Sequence, residues 1–244
     1  MPLQGELDYY RNMDASTFAH AANKPWSDEN CGRYLMELGA LASLMPRTGK
    51  LLDLGCGTGW TSFLFAAMGY EVVGQDVSPE AIAHAARRAQ QDTPVRASFV
   101  VSDYESLRFE SEFDIAVFFD SLHHAVDERD AVASAYRALK PGGVLVTSEP
   151  GLGHGRRSRA QIEAFGVTER DMHPARIIRA GRLAGFSSFR IHPHATQLGN
   201  ALYGAPRQGG MRAALREVPG MRSLFACFAI LLYKYADGIV VLRK

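Results

Sequence analysis

Between residues 50 and 151, short apolar runs alternate with longer segments whose apolar positions recur at helical spacing. The runs are KLLDLGC (50–56), EVVGQDV (71–77), ASFVVSD (97–103), FDIAVFF (113–119) and GVLVTSE (143–149). They are continuously apolar, the pattern of strands buried on both faces. Segments 58–68, 79–91 and 127–139 read as helices. Ser78 stands at an N-cap position with Pro79 at the first helical position, and Lys140-Pro141-Gly142-Gly143 stops the third helix. This alternation predicts a doubly wound, mostly parallel α/β sheet, in which ligands gather at the carboxyl ends of the strands.

The flanks extend the pattern. Upstream, an amphipathic helix is expected over 28–44, ended by Pro46, within an N-terminal helical cap over 1–49. Downstream, a helix over 174–184 ends at Gly185, SSFRIHPH (187–194) reads as a sixth strand, and GIVVLRK closes the chain as a seventh. The second unit is thus 50–244, with an insertion over 195–237 before the last strand. Inside the insertion the apolar run 224–233 is ten residues long, too short to cross a bilayer. It is read as a buried helix, with a homodimer contact or an interfacial membrane helix as competing uses.

Composition changes the picture in three places. A chain of 244 residues, 47% hydrophobic and 22% charged, is an ordinary globular protein with room for one sizeable core and a small cap. Cys31, Cys56 and Cys227 form no CxxC pair, and the N-terminus has no basic region followed by an apolar core. A reducing, cytoplasmic setting and no metal are expected. The net charge of +1 hides an asymmetry: residues 1–149 hold 12 Lys+Arg against 21 Asp+Glu, residues 150–244 hold 15 against 5. The basic part either spreads over solvated helices or draws an anionic substrate.

The stretch LLDLGCGTGW carries the first chemistry. Glycines after a buried strand let the backbone approach a ligand, and the helix that follows offers N–H groups to an anion. The dinucleotide fingerprint GxGxxG fails, because Trp60 stands where its last glycine would be and the glycines run Gly55, Gly57, Gly59. Asp53 would repel a pyrophosphate but suits a cationic amine or sulfonium.

With VVGQDVS, VVSDYESL, FDIAVFFDSLHH and RALKPGGVLV following in order, the chain resembles the class I S-adenosylmethionine-dependent methyltransferases over residues 50–151. The resemblance implies a Rossmann-like, seven-stranded sheet and S-adenosyl-L-methionine as cofactor. It implies that Gly55, Cys56, Gly57 and Gly59 line the methionine and ribose portion, with Asp53 near the amino group. Asp76 would accept both ribose hydroxyls, with Val77 over one adenine face. Asp103 would accept from the adenine amine beside Tyr104, and Phe119 and Asp120 would border the methyl donor. As lesser alternatives, Asp103 also suits a helix cap and Tyr104 the core.

Methyl transfer to a hydroxyl needs a base, and His123 and His124 lie just beyond the fourth strand on the catalytic rim, with Glu149 and His154 as further candidates. Each histidine alone also suits a structural or loop-capping role. The segment EPGLGHGRRSRAQIEAFGVTERDM resembles methyltransferases of glycan and surface-polysaccharide assembly. It departs from them at Gly155 and Arg156. Arg156, Arg157 and Arg159 either bind an acceptor phosphate or solvate a loop. Tyr9, Tyr10 and Trp26 in the cap either stack on an acceptor or bury the cap.

The expected activity is O-methylation of a sugar or glycan-linked small molecule, which can carry phosphate. A natural-product methyltransferase (O- or N-) and a relative that binds the cofactor without turnover are the alternatives. No RNA-binding module adjoins the domain, and FFDSLHH replaces an Asn-Pro-Pro-Tyr-like amine site, so nucleic acid is not an expected partner.

Overall fold

The computed structural model describes residues 4–91, 96–203, 224, 228 and 234–244. Its centre is a seven-stranded sheet ordered β3-β2-β1-β4-β5-β7-β6. In chain order the elements begin with α1 (Gln4–Asp8), α2 (Ala15–Ala22), α3 (Cys31–Leu44), β1 (Lys50–Leu54), α4 (Trp60–Ala67), β2 (Glu71–Asp76), α5 (Pro79–Gln91) and β3 (Ala97–Val101). They continue with β4 (Phe113–Phe119), α6 (Glu128–Ala138), β5 (Leu139–Ser148), α7 (His154–Arg157), α8 (Arg159–Phe165), α9 (Pro174–Ala184), β6 (Ser188–Pro193), α10 (Ala195–Tyr203) and β7 (Gly238–Arg243). The first five strands are parallel, and β7 lies antiparallel between β5 and β6.

The predicted sheet is therefore present, all seven strands included. Of the strands with apolar runs, the central β1 and β4 are buried on both faces, with Leu51, Leu52, Leu54, Ile115, Ala116, Val117 and Phe118 all 0% exposed, whereas β3, at the sheet edge, has no fully buried residue, contrary to expectation. Helix starts follow local chemistry. Ser78 Oγ accepts from Ala81 N at 3.2 Å to open α5, Asp127 caps α6 through Arg129 N, and Gly185 ends α9 in the left-handed region at φ 107°.

Two boundaries differ from expectation. α6 ends at Ala138, before Lys140-Pro141-Gly142-Gly143, which lies inside β5 where the register shifts between the Phe113–Leu139 and Ile115–Val144 pairs. The region before residue 49 is also not uniformly a cap. Leu38 and Leu41 of α3 are fully buried in the same cluster as Leu51, Val72 and Ile115, so α3 is part of the layer covering the sheet. α1, α2 and their connections lie over the strand ends, joined there by Tyr34 of α3, and Trp26 is 64% exposed. In the insertion, α10 packs on α3. The run 224–233, apart from the exposed Leu224 and Phe228, and Cys227 with it, lie outside the described residues. Among the described residues no helix is long and apolar enough to cross a membrane.

Candidate active site

A cavity of about 450 Å³ opens at the carboxyl ends of β1, β2 and β4 and is roofed by Tyr9, Tyr10 and Thr17. One wall carries Gly55, Cys56, Gly57, Asp76, Val77 and Tyr104; the other carries Phe119, Asp120, His123, His124, His154 and Glu169. Residues far apart in the chain meet because the parallel crossovers place every strand end on one rim.

The first wall is built on backbone that only glycine tolerates. Gly55 has φ 75°, and a Cβ there would sit 2.6 Å from Ser121 Cβ. Gly57 has φ 54°, its space above is taken by the Tyr10 hydroxyl, and its N–H donates to Asp76 Oδ2 at 2.8 Å. Asp76 Oδ1 accepts from Ser78 N at 2.9 Å. Burial raises the Asp76 carboxyl above the usual range, against these hydrogen bonds. Each oxygen keeps a lone pair for a ligand hydroxyl, so Asp76 fits a ribose.

Other expected cofactor residues divide. Asp53 does not line the cavity; its Oδ2 accepts from both Thr61 Oγ1 and Ser62 Oγ at 2.6 Å. Burial pushes its carboxyl up to about 6, although those hydroxyls oppose the shift. Gly59 starts α4 at φ 85°, where a Cβ would lie 2.9 Å from the Phe99 ring, so its glycine requirement comes from packing behind the loop. Asp103 caps the turn after β3 by accepting from Glu105 N at 2.9 Å. It also borders a recess with Val77 and Tyr104. Tyr104 donates to Ser121 O at 3.0 Å, tying the β3 and β4 loops together. Phe119 packs edge-on to Trp60 at 5.6 Å. Gly55, Gly57, Asp76, Val77 and Tyr104 thus form a cradle whose shape and acceptors fit S-adenosylmethionine.

The opposite wall is dense in imidazole and carboxylate. Buried Glu149 takes N–H groups of Ser121, Leu122 and His123 and holds His123 Nδ1 at 2.8 Å. His123 Nε2 lies 3.4 Å from Glu169 Oε2, and His154 Nε2 lies 2.5 Å from the same oxygen. Burial would lower the His123 pKa, but Glu149 and Glu169 together push it up to about 10. The two histidines hold Glu169 well below the usual carboxylate range despite its burial. His123, with a carboxylate at each nitrogen, is placed to hold a proton rather than exchange one. Asp120 ends β4 at φ 53°, a strained position for a residue other than glycine, of the kind that clusters at functional sites.

A second cavity, about 380 Å³, shares Tyr34, Phe119 and Asp120 with the first and extends toward β5 and β7. Its floor is a buried network in which His194 lies against Glu37 Oε1 and, at 3.1 Å, Asp237 Oδ1. Arg33 and Arg157 line it. The basic trio therefore separates: Arg157 faces this cavity, whereas Arg159 pairs with Glu163 on an exposed helix face at 2.7 Å. Glu6, Glu37, Glu169, His194 and Asp237 were not among the expected residues. For Glu37, a carboxylate between apolar helix positions at 34, 38 and 41 was an available signal.

A family profile described as "Methyltransferase domain" matches residues 51–143. The chain is 34% identical over 119 residues to the 2-methyl-6-phytyl-1,4-hydroquinone methyltransferase of Synechocystis sp., covering 47% of this chain and 36% of that protein. It is 29% identical over 147 residues to the ubiquinone biosynthesis O-methyltransferase of Xanthomonas axonopodis pv. citri, covering 57% of this chain and 61% of that one. The chain thus spans less than two thirds of the length of these curated relatives. Its fold is shared by Haemonchus contortus phosphoethanolamine N-methyltransferase 2, solved with phosphomonomethylethanolamine and S-adenosylhomocysteine. The TM-score is 0.68 at 22% identity, covering 99% of this chain and 60% of that one. Residues 51–143 thus carry a methyltransferase domain, and the strand order and glycine loop around them are those expected of the class I S-adenosylmethionine-dependent methyltransferases that the sequence resembles.

Proposed function

We propose that the protein methylates a hydroxyl of a small acceptor, and that the acceptor is a sugar or a glycan-linked molecule. The observation that carries this reading is the single cavity joining the Gly55–Gly57 loop to the wall of Asp120, His123, His124, His154 and Glu169. When bound, S-adenosylmethionine supplies a methyl group on a sulfonium, ready for in-line transfer to a nucleophile. Charge disappears rather than develops in that transfer, so the residues act chiefly by position. Gly55, Gly57, Asp76, Val77 and Tyr104 hold the donor, and His123, His124 and Asp120 orient the acceptor hydroxyl. The polar wall and the EPGLGHG segment support a polyhydroxyl acceptor. Arg157 on the adjoining cavity supports an acceptor bearing phosphate.

A second reading, a phenolic or hydroquinone acceptor, is favoured by the activities named for the two curated relatives and by Tyr9, Tyr34, Trp60 and Phe119 around the cavity. One experiment separates the readings. The purified protein is incubated with S-adenosylmethionine and with activated sugars or substituted hydroquinones, and both S-adenosylhomocysteine and methylated product are measured by mass. Product from sugars alone supports the first reading, and product from hydroquinones alone the second. Cofactor binding without product from either panel would leave a binding protein. Absence of cofactor binding would sink the reading altogether.

A further inference from the structure

We infer that His123, His124, His154 and Glu169 form a site for one divalent transition-metal ion on the acceptor wall of the cavity. Ligand atoms of His123, His124 and Glu169 all lie within 4.8 Å of one another, and His154 Nε2 adjoins Glu169 Oε2. The 3.4 Å between His123 Nε2 and Glu169 Oε2 is close to the roughly 3.3 Å separating two donors on a tetrahedral ion with bonds of about 2.0 to 2.1 Å. The wider spacing to His124 closes with side-chain movements on the order of an ångström. The His154–Glu169 contact, now a hydrogen bond, opens as the ion replaces the proton between them.

Three features make this a cation site rather than a set of neighbours. First, Glu149 grips His123 Nδ1 while its own oxygens are fixed by three backbone N–H groups. A carboxylate behind the imidazole fixes the tautomer that leaves Nε2 as a donor toward a metal. Second, His124 Nδ1 is buried without a hydrogen-bond partner among the described residues, lying 3.4 Å from Glu6 Oε1 outside hydrogen-bond geometry. Third, the charge is lopsided: Glu6, Asp120, Glu149 and Glu169 all lie within 3.9 Å of these imidazoles. A divalent ion neutralises that excess. The donor set of imidazole nitrogens and a carboxylate selects zinc, manganese or iron(II) over magnesium or calcium.

This departs from the absence of metal expected from sequence spacing, because Glu169 is 45 residues from His124 in the chain and joins the histidines only through the fold. The proposed role, which rests on the methyltransferase reading, is to bind the acceptor oxygen as an additional ligand, the ion expanding from four-coordinate to five-coordinate. The hydroxyl proton then passes to solvent, the oxygen lone pair forms the new O–C bond, and the C–S electron pair returns to sulfur.

Metal binding is tested without turnover. The full chain, stripped with chelator and shown to be folded by circular dichroism, is titrated with Co²⁺ and followed by visible absorption, with Zn²⁺ as competitor. The expected result is one equivalent per chain, ligand-field bands that Zn²⁺ abolishes, and affinity at least tenfold lower in His154→Gln and Glu169→Gln. His154 lies on the short helix α7 with 20% of its side chain exposed, so His154→Gln keeps the test open if Glu169→Gln misfolds. No binding, or binding that both folded variants leave unchanged, overturns the inference. Because the readout is the ion itself, its failure is distinct from failure of methyl transfer.

Discussion

Glu149, immediately after β5, and His123, in the turn after β4, meet through a 2.8 Å contact between Oε2 and Nδ1, both side chains buried. The same carboxylate collects the backbone N–H groups of Ser121, Leu122 and His123, so the end of β5 dictates the conformation of the loop after β4. Glu149→Gln keeps the shape and removes the charge. It is expected to lower kcat about 10- to 100-fold, the usual loss when the partner that orients a functional imidazole is changed. Cofactor Kd should stay unchanged, because Gly55, Gly57 and Asp76 are on the opposite wall. Steady-state kinetics beside calorimetry check this; parallel losses in both would mean that the whole rim had shifted.

Asp76 joins the glycine loop to the expected ribose position. Asp76→Ala should weaken S-adenosylmethionine binding by about 2 kcal/mol, roughly 30-fold in Kd, through loss of hydrogen bonds to a charged acceptor. The Gly57 N–H would also lose its partner, so Asp76→Asn, which keeps one acceptor oxygen, should be less damaging. Titration calorimetry on both variants measures the order. Equal affinity in wild type and a folded Asp76→Ala variant would remove Asp76 from the cofactor site.

Gly55 and Gly69 both have positive φ, at 75° and 101°, but a Cβ meets Ser121 Cβ at 2.6 Å in the first and nothing within 4 Å in the second. Gly69→Ala should therefore cost only backbone strain, on the order of 1 kcal/mol, and leave cofactor affinity intact. Gly55→Ala should lower affinity more than tenfold, because relief of the clash moves either the glycine loop or the Ser121 loop. Thermal melts with and without S-adenosylmethionine distinguish the two; the same ligand-induced shift in both variants would contradict it.

His194, Glu37 and Asp237 predict a pH dependence of stability. Burial opposes protonation of His194, but Asp237 and Glu37 raise its pKa from 6.5 to about 10. A folded pKa above the unfolded one means this contribution is complete below about pH 6.5 and is lost as pH rises toward 10. Glu37 and Asp237 are held below their ordinary values against burial by His194. Their contribution is present above about pH 4.5 and lost in acid. His194→Gln should cost about 3 kcal/mol near pH 6, or roughly 6–12 °C in Tm, and the difference should shrink steadily toward pH 10. A constant Tm difference from pH 6 to 10 would show that His194 carries no proton in the fold.

The strands were readable because the central ones, β1 and β4 with most of β2 and β5, are buried on both faces, and burial writes itself as continuous apolar runs such as FDIAVFF; the edge strand β3, with no fully buried residue, was read from its apolar run alone. The glycine loop was readable because only glycine tolerates the backbone at Gly55 and Gly57. Asp53 shows the limit of such reading: its position beside the loop was clear, whereas the turn of its carboxylate toward Thr61 and Ser62 depends on where α4 packs. The second wall was least visible. Glu169 reaches His123 and His154, and His194 reaches Glu37, across separations of 46, 15 and 157 residues. No local spacing records contacts made by three-dimensional convergence. The basic stretch at 156–159 looked like one patch, but helical geometry points Arg157 and Arg159 at different surroundings.

That separation sharpens the prediction about a phosphorylated acceptor. Arg157 lines the cavity that adjoins Asp120, and its Nη1 lies 3.4 Å from the Leu152 carbonyl, a weak contact that a phosphate would replace with charge-assisted hydrogen bonds. Arg159 is spent on Glu163, with 79% of its side chain exposed. Arg157→Gln should therefore raise the KM for a phosphorylated acceptor about 5- to 30-fold, the loss of roughly 1 to 2 kcal/mol expected for a partly solvated charged contact. Arg159→Gln should leave KM unchanged, and neither variant should alter cofactor Kd. Added salt should narrow the gap between Arg157→Gln and wild type, because charges are screened over about 8 Å at physiological ionic strength. Initial rates at two salt concentrations, with one phosphorylated acceptor and its dephosphorylated counterpart, provide the measurement. If Arg157→Gln leaves KM unchanged at low salt, or raises it equally for both acceptors, Arg157 does not recognise phosphate and the acceptor is selected by the carboxylate and imidazole wall alone.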